Sequence, residues 1–197
     1  MSPLPAPREL GARALDNLRY IRETMERSST FTAVPGLGGM AMGATALLAA
    51  LVSSRAETNA AWLRIWLADA AVAAAIGAWA LHRKASRAGI SLLGAPARRF
   101  LLALAAPLAS GALLTAALVR AGQWHLLAPV WLLLYGSAAV AGGVLSVRAV
   151  PLMGAGFLLL GTAALLSSPS RGTAYLAGGF GGLEIVFGAW IWRRHGG

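Results

Sequence analysis

The residues of this chain that are best suited to chemistry are two carboxylates inside long apolar segments. Asp69 lies in a run of alanine, valine and leucine, and Glu184 lies in the glycine-rich stretch GGFGGLEIVFGAW, residues 178–190. A charge at the centre of a bilayer costs about 2.5–3.5 kcal/mol on insertion scales, so such residues usually face the interior of a helix bundle. We therefore expect both carboxyl groups to point at neighbouring helices.

A tyrosine occupies a related position in another apolar segment. Gly77, Gly143 and Gly188 occupy matched positions in three of the apolar segments. Asp69 and Tyr135 each stand eight residues before the glycine of their segment, and Glu184 stands four residues before Gly188. Because residues one helical turn apart share a face, the three side chains project onto corresponding faces at two depths. Asp69, Glu184 and Tyr135 together are the candidate intramembrane polar site.

Two roles for these carboxylates stay open. In the functional role, they are protonatable groups in a path for ions, protons or a substrate. In the structural role, Glu184 is a polar staple between helices. The hydroxyl groups available to such a staple are those of Thr45, Thr115, Thr162, Ser137 and Tyr135. Two acids without matching cations or a dense polar lining favour the structural role.

The composition is typical of a membrane protein and excludes several kinds of site. Hydrophobic residues make up 57% of the 197 residues and charged residues 12%, whereas soluble domains have about 25% charged residues. With no cysteine and three scattered histidines, the chain predicts no disulfide, no thiolate chemistry and no metal site. No HExxH, GxSxG or phosphate-loop motif occurs, so we predict no enzymatic activity and no cofactor.

Six segments are long and apolar enough to cross a bilayer, which takes about 20 residues in a helix. They cover approximately residues 34–53, 61–81, 100–119, 124–147, 150–167 and 173–192. The predicted fold is therefore all-α, a polytopic bundle of six transmembrane helices. The predicted regions are a cytoplasmic tail (1–33), the transmembrane domain (34–193) and a cytoplasmic C-terminus (194–197).

The basic residues orient these segments. Thirteen of the 17 Lys and Arg residues fall on the side that holds both termini, and four fall on the other side. Since cytoplasmic loops carry the excess of Lys and Arg, both termini are predicted to be cytoplasmic. The net charge of +10 therefore indicates a lipid bilayer as partner and no nucleic acid. The arginine- and alanine-rich composition suggests a bacterium, and hence its inner membrane. Trp62, Trp66, Trp124 and Tyr175, near the predicted outer ends, are predicted interface anchors.

The first and last pairs of segments resemble each other. The first opens with VPGLGGMAMGATALLAA and the fifth with VPLMGAGFLLLGTAALLSS, while IGAWALHRK ends the second and FGAWIWRRH the sixth. This similarity predicts a bundle built of three helical hairpins, with the middle pair a weaker copy. Gly39 and Gly43, and likewise Gly178 and Gly182, have the GxxxG spacing that lets membrane helices approach closely.

The N-terminal tail contains a predicted amphipathic helix. Apolar residues recur there every three or four positions, with Leu18, Ile21 and Met25 in one stripe. The helix either lies on the inner membrane surface or docks a protein partner through this stripe; the first alternative is favoured.

The stretches DNLRYIRETMERSSTFTAVPG and GFGGLEIVFGAWIWRRHGG resemble those of a family of small six-span membrane proteins of environmental bacteria, which has no established function. Histidine is common there at the position of Glu184. The resemblance therefore implies a polar group at this position rather than a dedicated cation ligand.

The sequence is compatible with three kinds of function. The first is a non-enzymatic membrane protein that acts through partners, as a sensor, an accessory subunit or a structural element. The alternative is a small transporter or proton-coupled channel that uses Asp69 and Glu184. An intramembrane enzyme is the least favoured, because no nucleophile–base set is recognisable.

Overall fold

The computed structural model describes residues 17–18 and 32–195. The chain divides into two compact units, Met1–Thr30 and Phe31–Gly197. In the first unit, residues 17–18 are helical and Leu18 is exposed. The rest of the predicted N-terminal helix, with Ile21 and Met25, lies outside the described residues. The described part of the second unit is α-helical and contains no strand.

In residues 32–195, six helices are long and apolar enough to cross a membrane, which confirms the prediction of an all-helical protein with six potential spans. We number them α1 (Gly36–Ser53), α2 (Asn59–Arg87), α3 (Ala95–Arg120), α4 (Trp124–Gly143), α5 (Ala149–Leu166) and α6 (Pro169–His195). The first turns of α4 and α6, Trp124–Leu126 and Pro169–Arg171, are 3-10 helical. The predicted ends shift by a few residues: α2 extends beyond 81 to Arg87, and α4 ends at Gly143 rather than near 147.

Local sequence explains where the longest helices begin and end. The hydroxyl of Thr58 caps α2 by accepting a hydrogen bond from the backbone N–H of Ala61 at 3.1 Å. Helices α2 and α3 are followed by Gly89 (φ 65°) and Gly122 (φ 70°). In both cases the two backbone hydrogen bonds of a Schellman motif close the helix. A left-handed φ at these positions is accessible to glycine at little cost.

The core lies between four of the six helices. The most extensive packing joins α4 to α5, and α1 packs closely on α6 and on α2. The fully buried side chains Leu127, Leu132, Phe157 and Leu176 come from α4, α5 and α6. Helices α2 and α3 have mostly exposed apolar faces. In their most apolar 18-residue stretches, 11% and 6% of the residues are buried, against 50% for α4. A lipid environment accounts for faces of this kind.

Helices α2 and α3 approach each other at one end. There, Ala85 near the end of α2 belongs to the same buried cluster as Ala97 and Phe100 in the first turns of α3. Towards the other end, both helices contact α4 instead: Trp62 of α2 stacks on Trp131, and Thr115 of α3 accepts a hydrogen bond from Trp131. Helices α2 and α3 thus contact each other at one end and are joined through α4 near the other.

Candidate intramembrane polar site

The carboxyl group of Glu184 is buried inside the bundle. Its side chain is 5% exposed, and its Oε1 atom accepts a hydrogen bond from the phenol hydroxyl of Tyr135. Because Glu184 belongs to α6 and Tyr135 to α4, this bond joins two helices. A buried polar group without a partner costs about 1–3 kcal/mol, and more if it is charged. The bond therefore offsets part of the cost of burying the carboxyl group.

Two phenylalanine rings surround the phenol. The ring centroid of Tyr135 lies 4.7 Å from that of Phe157 on α5 and 5.0 Å from that of Phe180 on α6. The two phenylalanine centroids are 5.2 Å apart, and all three pairs are tilted or edge-on, the arrangements that aromatic quadrupoles favour. This aromatic cluster fixes the orientation of the phenol and excludes water from its side of the hydrogen bond.

A π-helical segment positions Glu184. Residues Ala177–Leu183, with the sequence AGGFGGL, form a seven-residue π-helix, and the α-helix resumes at Glu184. Its glycines let neighbours come close: a Cβ on Gly179 would lie 2.5 Å from Leu132 Cδ2 and 3.0 Å from the Phe157 ring. The apolar pattern of the sequence does not predict this segment, although its four glycines around Phe180 are a visible signal. Wide turns of this kind occur frequently at functional sites.

A partly enclosed cavity of about 190 Å³ extends to Glu184 and Tyr135. All six helices contribute to its wall, α1, α3 and α5 with their first halves and α2, α4 and α6 with their second halves. The cavity therefore lies in the half of the bundle where α1 begins and α6 ends, which we call the terminal half. The lining residues are Val34, Pro35, Gly39, Met42, Gly77, Leu81, Phe100, Leu101, Leu104, Tyr135, Ala139, Val150, Met153, Glu184, Gly188 and Ile191.

Glu184 and Tyr135 provide all the side-chain oxygen atoms in this lining; the other lining side chains are hydrocarbon or thioether, or belong to glycine. Within the described residues, the Glu184 carboxyl makes one hydrogen bond, through Oε1. Its other oxygen, Oε2, lies beside Gly39, where an added Cβ would be 3.3 Å away. The cavity thus combines apolar walls with one polar end, where a carboxyl oxygen of Glu184 has no partner among the residues that the structure describes.

Asp69 stands apart from this pair. It is half-buried on α2, where its side chain lies beside that of Thr45 on α1, and it is not among the residues that line the cavity. The structure therefore brings together two of the three predicted polar residues and places the third elsewhere. The reason is that α2 packs mainly on α1, so that a polar group on its inner face meets α1 before it can meet α4 or α6.

The first predicted glycine pair lies against α6. A Cβ on Gly43 would be 2.6 Å from Ile185 Cγ1 and 2.8 Å from the carbonyl oxygen of Gly181. Gly39 faces Glu184 and the backbone of Gly188, whose Cα would be 3.5 Å from an added Cβ. These glycines allow α1 and α6 to approach backbone to backbone, as the GxxxG spacing predicts.

The second predicted pair has more space. A Cβ on Gly178 would come no closer than 3.8 Å to Leu160 Cδ1, and one on Gly182 no closer than 3.9 Å to its own helix. On α6 the tight approaches to α1 are made by Gly181 and Gly188 instead. The π-helical segment explains the difference, because its wider turn rotates the glycines relative to a regular helix.

A tryptophan cluster near the opposite end corrects the interpretation of the aromatic residues. Trp62 stacks on Trp131 with centroids 5.6 Å apart and donates to the hydroxyl of Thr173 at 2.9 Å. Trp131 donates to the hydroxyl of Thr115 at 2.7 Å. Trp66 is 3% exposed, and its indole N–H is buried without a partner within the described residues. Trp66 is therefore a core residue and not an interface anchor.

In residues 17–18 and 32–195, no three His, Cys, Asp or Glu side chains come together as a metal-binding group. Compared with known proteins, the chain matches no family model, no curated protein and no solved structure. The class is therefore assigned from the fold and the site alone. The six apolar helices place the chain among multi-pass membrane proteins, here with a buried carboxyl–phenol pair at the end of an apolar cavity.

Proposed function

We propose that this protein is an integral protein of the bacterial cytoplasmic membrane, with both termini in the cytoplasm. The proposal is supported by the charge distribution, thirteen basic residues against four, under the rule that cytoplasmic loops are the basic ones. The terminal half, with its cavity, then faces the cytoplasm.

The absence of cysteine makes this orientation directly testable. Single cysteines in place of Ser54, Ser91 and Ser170, all exposed at helix ends or in connections between helices, are treated with a membrane-impermeant maleimide on intact spheroplasts. We expect labelling at positions 54 and 170, and labelling at position 91 only after permeabilisation. The reverse pattern would contradict the orientation, and the cysteine-free parent is the control.

We further propose that α1–α2, α3–α4 and α5–α6 are three helical hairpins, preceded by an amphipathic cytoplasmic helix, and that the chain is related to the six-span family that it resembles. The close packing of α1 on α2 and of α3 on α4 supports the first two hairpins. The matched sequences of the first and last pairs support the repeat.

For the function itself, we propose a non-enzymatic role exerted through protein partners, as a sensor, an accessory subunit or a structural element. The observation that carries this proposal is the hydrogen bond between Tyr135 and Glu184. It gives the most deeply buried acid of the described chain a structural task, that of holding α4 to α6. This favours a stable helix bundle that presents its surfaces to protein partners over a bundle that catalyses a reaction.

The staple is tested by a double-mutant cycle. Tyr135→Phe and Glu184→Met, which has no hydrogen-bonding oxygen, are each expected to lower the free energy of unfolding by about 1–3 kcal/mol. The expected coupling energy is about 0.6 kcal/mol and at most about 1.7 kcal/mol, as measured for hydrogen bonds between membrane helices. As a matched control, Tyr175→Phe breaks the 2.6 Å bond to Ser167 and should be additive with Glu184→Met. Zero coupling between Tyr135 and Glu184 would contradict the structural role.

The partner role is tested through the N-terminal stripe. Leu18→Glu and Ile21→Glu are expected to remove co-purifying partners, because they place charge on the apolar face of the predicted helix. Asn17→Glu, on a neighbouring polar position, is the control and should retain them. A folded protein with unchanged partners in all three variants would count against docking through this helix.

Transport is a second candidate, favoured by the cavity that reaches Glu184. This residue precedes the end of α6 at His195 by eleven positions, roughly 16 Å along a helix, about half of the bilayer core. A proton- or solute-conducting protein would lose flux in proteoliposomes on Glu184→Gln and Asp69→Asn. Flux that these two changes leave intact would remove both carboxylates from the mechanism.

A further inference from the structure

The cavity of the terminal half has two properties that together define a ligand. Its walls are hydrocarbon and thioether from all six helices, and its inner end carries one carboxyl oxygen, Oε2 of Glu184, without a protein partner in the described residues. Glu184 is 5% exposed, and a polar atom that is largely shielded from water and has no hydrogen-bond partner is costly. An apolar cavity is a poor site for a water molecule that could serve as this partner, because water needs two to four polar partners. Water is therefore a poor occupant both for the apolar walls and for the carboxyl oxygen at the polar end.

The size of the cavity limits what fits. An engineered apolar cavity of about 150 Å³ binds benzene, and this cavity measures about 190 Å³. A single ring with one or two additional heavy atoms is thus the expected size. Two of the lining side chains leave a route of entry. Leu101 is 38% exposed and borders the outside, and Met42 has a flexible side chain.

We propose that this cavity binds a small apolar molecule with one hydroxyl group, of the size of a phenol or an aromatic alcohol. The ring lies among the apolar side chains, and the hydroxyl reaches Oε2 of Glu184. A hydroxyl both donates and accepts hydrogen bonds, so it satisfies this oxygen whether or not the carboxyl group carries a proton. The inference goes beyond the partner role proposed above and does not depend on it.

The experiment uses the full chain in lipid nanodiscs and two fluorinated probes of nearly equal shape, 4-fluorophenol and 4-fluorotoluene. Binding is followed by ¹⁹F NMR titration. Since a hydrogen bond to a carboxylate contributes about one factor of ten or more in affinity, we expect 4-fluorophenol to bind at least about tenfold more tightly than 4-fluorotoluene. Equal binding of the two probes would overturn the assignment of a hydroxyl-bearing ligand.

Two variants locate the site. Ala139→Phe fills the cavity, because Ala139 is buried and lines it; Ala141→Phe, on an exposed position of the same helix, is the matched control. Saturable binding should disappear in the first and persist in the second. If Ala139→Phe does not fold, Leu101→Phe fills the cavity from a partly exposed position and repeats the test. Binding that survives cavity filling would show that the probe sits elsewhere and would overturn the proposal.

A third variant tests the polar end. Glu184→Met has a similar volume but no hydrogen-bonding oxygen, and the preference for 4-fluorophenol should fall from about tenfold to nearly none. If Glu184→Met does not fold, Glu184→Gln is used, which keeps the shape but no charge and should lower the preference severalfold. A preference unchanged in the folded variant would exclude Oε2 as the acceptor. Loss of partner proteins with retained probe binding would leave the cavity assignment intact, so the two proposals fail separately.

Discussion

The contact between α1 and α6 yields the sharpest prediction, through Gly188. A Cβ at this position would lie 2.8 Å from both the carbonyl oxygen of Gly36 and the backbone nitrogen of Met40. Both atoms belong to the backbone of α1, so no side-chain rotation can relieve the overlap. The helices must separate by about 0.6 Å to restore an ordinary contact, in an interior that is packed like a crystal.

The size of the effect follows from two opposing terms. Overpacking of this kind costs about 1–3 kcal/mol, while replacing glycine by alanine in a helix gains up to about 1 kcal/mol. Gly188→Ala should therefore lower the free energy of unfolding by about 1–2 kcal/mol. The matched control is Gly182→Ala on the same helix, where the nearest atom is 3.9 Å from the added Cβ. It should be neutral or stabilising by up to about 1 kcal/mol.

The assay is unfolding in mixed micelles by titration with sodium dodecyl sulfate, followed by tryptophan fluorescence. Both variants are compared with the parent protein at the same lipid-to-detergent ratio. The reasoning would be refuted if Gly188→Ala were as stable as the parent, or if Gly182→Ala were destabilised to the same extent. In the second case the sensitivity would belong to glycine in this helix generally and not to the close backbone contact.

Three further predictions use the same titration. Gly89→Ala should lower stability by about 1 kcal/mol, because φ is 65° there and alanine adopts that conformation only with strain; an unchanged midpoint would contradict the Schellman cap. Trp62→Phe should lower the free energy of unfolding by about 0.5–1.5 kcal/mol through loss of the hydrogen bond to Thr173. Thr173→Val should lower it little further once Trp62 is replaced, and fully additive effects of the two changes would exclude the bond. Trp66→Phe should cost less than the about 3–5 kcal/mol of truncating a buried Trp to Ala, since it keeps an aromatic ring and also removes an N–H that is buried without a partner in the described residues; a loss above about 3 kcal/mol would indicate that this N–H has a partner.

Much of the architecture was predictable because each element depends on local composition. An apolar run of about 20 residues forms a helix in lipid whatever its neighbours do, since every backbone group must be paired within the segment. For this reason the described residues contain the six expected helices that are long and apolar enough to cross a membrane. The ends of α2 and α4 were less well predicted, because a helix can continue into polar sequence, as α2 does to Arg87.

The candidate site was predictable in part. Glu184 and Tyr135 were selected because a polar side chain is conspicuous in an apolar helix, and the structure joins them. Asp69 was selected by the same criterion, yet its place beside Thr45 depends on which helix packs against α2. The tight glycine contacts shifted from Gly178 and Gly182 to other glycines of α6, because a π-helical segment changes the angular position of every residue that follows it.

The amino-acid sequence alone determined that the chain is helical, that six of its segments suit a bilayer, and that two acids within these apolar segments, Asp69 and Glu184, are exceptional. These properties follow from the transfer of single side chains and backbone groups into lipid, which is a local free energy. The tertiary structure alone decided that Glu184 meets Tyr135 and not Asp69, that Trp66 lies in the core, and that a cavity remains at the carboxyl group. Those outcomes depend on how six helices share their contacts. In lipid this is governed by shape and close packing between helices, to which residues far apart in the chain contribute together.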